Sequence, residues 1–238
     1  MEYFRLWPDG PLMEQSGDAA PIGTDSILLS SFATVTGVRR AIDLGCGCGV
    51  IALTLLSRSD TVRVDAVDIL PGAAELARRN AELNGLSGRM RVRNMDLRRL
   101  SRLETGCTYD LIVSNPPYFP VDAGGVSGNV VRLASRSETF CTLEDLISCA
   151  DRLSHYLTKF AFIHRTERLP EILVLLNEHR LTPKRLRFMQ TRLSSPPSLF
   201  MIECKKGAKP GLTVEPVLIL QNDDGTETDE VKRIYRRG

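Results

Sequence analysis

From Arg40 onward the chain alternates short aliphatic or β-branched runs with amphipathic stretches of helical length. That order predicts a parallel sheet covered by helices on both faces, an α/β fold. The runs "AIDLG", "VRVDAVDI", "MRVRNMD" and "YDLIVSN" read as four successive strands. The stretches "VIALTLLSR" and "PGAAELARRNAELNG" read as helices, the second with Pro71 at its start and Gly85 past its end. Those are the places where a missing N–H costs nothing and where a positive φ is wanted. Further on, the pattern predicts a helix in "TLEDLISCADRL", a strand in "KFAFIH", a helix from Thr166 to His179, and strands near "RLRFM" and "SLFMIECK". No linker rich in Pro, Gly or Ser and no fixed repeat divides this run. The expected organisation is a lead-in segment over residues 1–36 with a helix in "TDSILLSSFA", one domain over 37–206, and a polar, charged tail over 207–238.

Two interruptions of the pattern carry chemistry. In "DLGCGCGV", Gly45, Gly47 and Gly49 lie between a strand and a helix, with Asp43 at the strand's end. Glycines there allow a tight turn and close approach of a ligand, and the helix N-terminus supplies amide donors. Asp68 ends the next strand, followed by Ile69, and an acidic residue in that place can accept from both hydroxyls of a ribose. The dinucleotide fingerprint is G-x-G-x-x-G, whereas the spacing here is D-x-G-x-G-x-G. A carboxylate at Asp43 repels a pyrophosphate but suits an ammonium and a sulfonium, the two cations of S-adenosylmethionine. An oxidoreductase is therefore the poorer reading.

The other interruption is "SNPPYFP", where an apolar strand halts at Asn115 and two prolines follow. An amine on an sp2 carbon is a weak nucleophile. Two acceptors aimed at its hydrogens favour a more tetrahedral nitrogen with its lone pair free. The Asn115 side-chain carbonyl and the Pro116 main-chain carbonyl can supply them. Pro116 and Pro117 stiffen the turn and remove competing donors, and Tyr118, with Phe119 behind it, offers an aromatic face to a planar substrate. No strong general base is needed, because the methylated nitrogen sheds its proton to water. The histidines, His155, His164 and His179, are read as structural or surface residues away from these motifs.

Composition narrows the picture. The chain has 238 residues, 42% hydrophobic and 25% charged, which fits one well-filled domain. No apolar run approaches a membrane span and the start "MEYFRLWPDG" lacks the order of a secretory signal, so a cytoplasmic protein is expected. Cys46, Cys48, Cys107, Cys141, Cys149 and Cys204 have no spacing that holds a metal or staples a fold, and are read as reduced thiols. The net charge of +2 is uneven: residues 151–238 carry 16 Lys/Arg against 11 Asp/Glu, while residues 1–150 carry 15 against 18. That excess permits an anionic partner without demanding one.

Taken in order, D-x-G-x-G-x-G, the acidic strand end at Asp68, Asp96 after the third strand and N-P-P-Y after the fourth resemble the class I S-adenosylmethionine-dependent methyltransferases. The resemblance implies a Rossmann-like, mostly parallel seven-stranded sheet with an antiparallel last strand. It implies S-adenosylmethionine as cofactor, and it makes Asp96 and Leu97 adenine-pocket candidates. N-P-P-[YF] in this place resembles the branch that methylates adenine N6, guanine N2, cytosine N4 or a glutamine amide.

The segments "GTDSILLSSFA", "LASRSETFCTLEDLI", "FIHRTERLPEIL", "LTPKRLRFMQ" and "KPGLTVEPVLIL" further resemble the bacterial tRNA1(Val) adenine-N6 methyltransferases, which implies a tRNA substrate methylated 3′ of the anticodon. The family's Pro-Gly-Gly turn before the fifth strand is "LSHYLTKF" here, and its Ala-Arg-His-Glu is "SRSE". Arg132, Arg136, Arg185, Arg187, Arg192, Lys205 and Lys206 are the candidate phosphate contacts. Asp25 of "GTD" either meets the cofactor, as the resemblance implies, or caps its helix. Two amine substrates remain as alternatives, a ribosomal RNA guanine and a release-factor glutamine. The second usually comes with a larger N-terminal domain than the roughly 40 residues before the first strand can form. A non-catalytic RNA-binding module of the same fold is the rival from another class.

Overall fold

The structure is a computed structural model, and it describes residues 2–15, 23–100, 109–118 and 141–236. Phe119, Arg132 and Arg136 lie outside the described residues. A hairpin of β1 (Glu2–Arg5) and β2 (Leu12–Gln15) is followed by α1 (Thr24–Phe32). Then come β3 (Arg40–Leu44), α2 (Val50–Ser57), β4 (Arg63–Asp68), α3 (Pro71–Leu83), β5 (Met90–Asn94) and β6 (Tyr109–Ser114). The second half holds α4 (Leu143–Leu153), β7 (Ser154–Arg165), α5 (Leu169–Glu178), β8 (Leu181–Gln190) and β9 (Leu199–Lys206). Two short strands, β10 (Thr213–Val214) and β11 (Leu218–Ile219), precede α6 (Asp229–Ile234).

The main sheet runs β10-β8-β9-β7-β6-β3-β4-β5, with β11 also on β8. Only β9 is antiparallel to its neighbours. The seven long strands are thus the predicted sheet, and β10 and β11 extend its far edge. The tail was expected to be merely polar; Thr213–Val214 and Leu218–Ile219 instead pair with β8 in parallel. Strands of two residues leave no period to read, so pairing is supplied by the edge they meet.

Strand alternation sorts the core into two layers. Ala41, Val64, Ala66, Leu111, Val113, Ala161 and Ile163 face α1, α2 and α3, while Ile42, Leu44, Ile112, Phe160 and Phe162 face α4 and α5. The period of two in each strand produces this division. The helix α4 starts with a capping box, in which Thr142 and Asp145 each accept from the other's backbone N–H.

The fifth expected strand is longer than "KFAFIH" and takes in the segment that departs from Pro-Gly-Gly. Its register on β6 jumps from Tyr109↔Ser154 to Leu111↔Lys159. Leu157, at φ 67, turns the chain inside that jump without a glycine.

The hairpin was not expected. Asn80, fully buried on α3, anchors it: its Oδ1 accepts from Glu14 N at 2.7 Å, and its Nδ2 donates to Glu14 O at 3.4 Å and to Cys48 O at 3.0 Å. One side chain therefore ties the hairpin, α3 and the glycine turn together. Replacing Asn80 by Ala strands a buried N–H and a carbonyl, and should cost about 2–3 kcal/mol of stability. Urea denaturation would show this as a lower midpoint at unchanged slope.

Candidate active site

The parallel strands β3, β4, β5, β6 and β7 present their C-terminal ends along one edge. Connections leave β3 towards β4 on one side and return through β6 on the other, so a crevice opens between β3 and β6. Ligands of open α/β sheets sit at such a reversal. The two sequence motifs flank it: Asp43 pairs with Val113, and the Ser114 hydroxyl donates to Leu44 O at 2.7 Å. Asn115 and Gly45 are the next residues on either side of that bond.

The glycine turn is left-handed at each glycine, with φ of 76 at Gly45, 53 at Gly47 and 90 at Gly49. A Cβ on Gly45 or Gly47 would meet nothing within 4 Å, whereas one on Gly49 would lie 3.0 Å from the Met90 side chain. The first two thus keep open space beside the backbone, and the third allows the turn to pack against α3 and β5.

Asp68 shapes the turn from outside, its Oδ2 accepting from Gly47 N at 2.8 Å and its Oδ1 from Leu70 N at 2.9 Å. Burial pushes its carboxyl upward, against the pull of those N–H groups. Asn94 secures the same corner by donating to the carbonyls of Asp68 and Ile69, both at 2.9 Å.

Asp43 is fully buried. Its Oδ2 accepts from Ala52 N at 3.2 Å, and its Oδ1 has no partner. Burial pushes this carboxyl up to about 8, and nearby Asp68 adds to the rise. An orphaned buried oxygen beside two uncrowded glycines fits a ligand that carries a positive group, because such a group supplies the missing partner.

At the strand exit Asn115 is held on both ends. Its Nδ2 donates to Ser26 Oγ at 3.0 Å, and its Oδ1 lies 2.7 Å from the Tyr118 hydroxyl. That hydroxyl is also 2.9 Å from Asp25 Oδ2. Burial raises the Asp25 carboxyl, against the pull of the Tyr118 hydroxyl.

Asp25 is therefore not the cap of α1. Gly23 occupies the N-cap position with no side-chain bond, and Asp25 turns to the NPPY segment instead. The Tyr118 ring, expected to serve as a stacking platform, has its hydroxyl tied back and meets His164 edge-on at 5.7 Å.

That contact corrects the reading of the histidines. His164 is buried on β7, and it lines a recess with Pro116, Pro117, Cys141, Thr142, Leu143 and Arg168. Its distance from N-P-P-Y in sequence hid it, since β7 reaches the site through pairing with β6. His155 and His179 do lie elsewhere, beside Asp110 and Asp151.

Asp96 caps a short helical turn over Leu97–Arg99, and its carboxylate holds the Arg98 guanidinium at 2.6–3.0 Å. The Arg98 bond keeps that carboxyl below its usual range. Leu97 packs against the α4 side of the core.

The five described basic candidates do not gather at the site. Arg185 bonds Glu215 at 2.6 Å, Phe32 O at 3.0 Å and Thr34 Oγ1 at 2.9 Å, and stacks on the Phe32 ring. Arg187 bonds Glu230 at 2.7 Å, and Lys206 is held by Asp151 and by His179 O. Lys205 pairs in register with Lys159 and Thr182, at the edge of the sheet opposite Asn115. Arg192 alone of these five is exposed, just beyond the end of β8 on the Asn115 edge.

Among the described residues, no group of three His, Cys, Asp or Glu is placed to hold a metal ion. No helix among them is long and apolar enough to cross a membrane. Cys46, Cys48, Cys141, Cys149 and Cys204 are free thiols, and burial pushes Cys48 up to about 11.

Residues 16–134 match the methyltransferase small domain, and the chain belongs to that family. It is 39% identical over 136 residues to a tRNA1(Val) (adenine(37)-N6)-methyltransferase of Pectobacterium carotovorum, covering 57% of this chain and 54% of that protein. A protein of the same description from Yersinia pseudotuberculosis is 37% identical over 137 residues, 57% of this chain and 53% of that one. The matched part spans about half the length of these curated relatives.

Among solved structures, a predicted O-methyltransferase from Agrobacterium tumefaciens superposes with a TM-score of 0.70 at 22% identity, over 90% of this chain and 97% of that one. A putative RNA methyltransferase from Pyrococcus horikoshii gives 0.54 at 16% identity, over 77% and 81%. These likenesses establish the Rossmann-like methyltransferase fold.

The buried carboxyl makes a prediction about pH. Folded Asp43 keeps its proton up to about 8, against an ordinary value of 3.8 when unfolded. Between those values the folded state binds the extra proton, so the stability contribution is complete below about 4 and is lost as pH rises towards 8. Melting of the ligand-free protein should fall across pH 5 to 8, and the Asp43→Asn variant should show a flatter profile.

Proposed function

We propose that this chain transfers a methyl group from S-adenosylmethionine to the exocyclic N6 of an adenine in tRNA, the adenine 3′ of the anticodon in tRNA1(Val). The observation that carries this reading is the single bond between Ser114 and Leu44 O, which sets Asn115 next to the glycine turn. A nucleophile positioned by Asn115 then meets an electrophile held by Asp43, Gly45, Gly47 and Asp68. The named relatives in Pectobacterium and Yersinia support the choice of adenine and of tRNA.

In this reading Asp43 Oδ1 receives the cofactor's positive end, and the remaining lone pairs of Asp68 receive the ribose hydroxyls. Gly49 and Ile69 complete the wall, while Asp96 and Leu97 border the adenine ring. The cofactor supplies an electrophilic methyl group. The Asn115 Oδ1 keeps a second lone pair beyond the one Tyr118 uses, and with the Pro116 carbonyl it takes the two amine hydrogens. Pro117 keeps those acceptors fixed. Ser26 holds Asn115 directly and Asp25 holds it through the Tyr118 hydroxyl, so the lead-in helix belongs to the catalytic unit. Arg192, with Arg132 and Arg136 further along the sequence from N-P-P-Y, is the choice for phosphate contact, and Phe119 for contact with the base. Arg185, Arg187 and Lys206 serve internal carboxylates. A tRNA substrate places the activity in the cytoplasm.

A strain lacking this protein should lose N6-methyladenosine from one valine tRNA in mass spectrometry of its nucleosides. The wild-type gene should restore it, and Asn115→Ala should not, with turnover lowered about 100-fold or more and cofactor affinity retained in calorimetry. An unchanged nucleoside profile would overturn the substrate. For docking, Arg192→Ala should lower the slope of log affinity for tRNA against log salt by about one, while Lys206→Ala should leave that slope unchanged and lower stability instead.

A further inference from the structure

His164 stands out because one ring nitrogen is bonded within the fold and the other has no partner among the described residues. Its Nδ1 accepts from the Arg165 backbone N–H at 2.9 Å. A neutral imidazole that accepts at Nδ1 carries its hydrogen on Nε2. Burial, with Arg168 nearby, pushes the ring down to about 4, so it is neutral at physiological pH. No described group bonds Nε2, yet that atom is not among the sealed, unsatisfied ones, and the ring lines the recess beside Pro116 and Pro117. The recess thus offers an N–H donor beside Pro116, whose carbonyl is one of the two acceptors assigned to the amine.

We infer that His164 is a specificity-determining residue: its Nε2–H donates to an acceptor ring nitrogen flanking the substrate's exocyclic amine. This rests on the reading of the site given above. An adenine carries two such nitrogens near its amine, N1 and N7, and each is an acceptor. A base with an N–H at the matching place would set donor against donor and be rejected, since a buried donor left unpaired is costly. The Tyr118 edge contact and the Arg165 N–H hold the ring in place. The nearby Arg168 is itself held by Glu171 at 2.8–2.9 Å, so the neutral histidine is the donor free for the base.

The test uses a short RNA stem-loop carrying adenosine, 1-deazaadenosine or 7-deazaadenosine at the target position, with wild-type, His164→Ala and His164→Gln proteins. Wild type should methylate the adenosine RNA, and failure there would overturn the substrate reading itself. Given that activity, one of the two deaza RNAs should lose about tenfold or more in kcat/KM, the loss expected for one neutral hydrogen bond. His164→Ala should lose a similar factor on the adenosine RNA and nothing more on the sensitive deaza RNA. Unchanged cofactor affinity would show that this variant is folded. His164→Gln, which retains an N–H, should recover part of the activity. If both deaza RNAs react within about twofold of adenosine, or if the two losses multiply in combination, His164 does not read the base. Should His164→Ala fail to fold, His164→Gln takes its place on the adenosine and sensitive deaza RNAs, and losses that multiply would overturn the proposal.

Discussion

The pairing of β3 with β6 is the constraint on which the site depends. These strands are not neighbours in sequence, and the register Asp43↔Val113 determines which residues emerge side by side at the strand ends. A slip of one residue would turn Ile42 and Leu44 out of one core layer and Ala41 out of the other, and every inward side chain would change face. The alternation of large and small apolar residues therefore protects the register. The Ser114 hydroxyl on Leu44 O adds a polar check at the last rung. Asn115 and Gly45 follow from there, so a packing requirement in the core becomes a distance between two chemical groups in the crevice.

Buried carboxyl groups divide into two kinds. Glu203 lies on β9, the sheet's antiparallel strand, and both its oxygens have partners, accepting from Thr34 N at 2.7 Å and Thr34 Oγ1 at 2.9 Å, with Arg185 at 3.7 Å. It joins the exit of α1 to β8 and β9, and its partners leave nothing for a ligand. Asp43 is as deeply buried but keeps one oxygen unmatched. A satisfied buried carboxylate is architecture, and one left short of a partner in a crevice is a place prepared for a cation. The same contrast separates the arginines: Arg185 and Arg187 are committed to carboxylates, whereas Arg192 is not buried.

Much of the fold was legible from pattern. The strands and helices from Arg40 to Leu83 were expected within a residue or two of where they lie, because both periodicity and flanking glycine or proline marked them. The glycine turn and N-P-P-Y were legible as interruptions of that pattern. The hairpin at Glu2–Gln15 was not, since its short strands are tied to the domain by Asn80 and Asn84, 66 residues from Glu14 and 72 from Leu12. The C-terminal strands were hidden for a similar reason: β8 offers them an edge, and their own sequence shows no alternation.

What the sequence by itself determined is the layered α/β plan and the residue types at the two turns, because hydrophobic period and backbone permissiveness are local properties. Only the tertiary structure decided which side chains share the crevice. Asp25 and Ser26 arrive from α1 to grip the NPPY segment, and His164 arrives from β7. Lys205 is carried by its strand to the opposite edge, three residues and about 10 Å beyond Ile202, which lies level with Phe162 and Ser114. Strand direction and register decide such positions, and both are set by contacts between segments far apart in the chain.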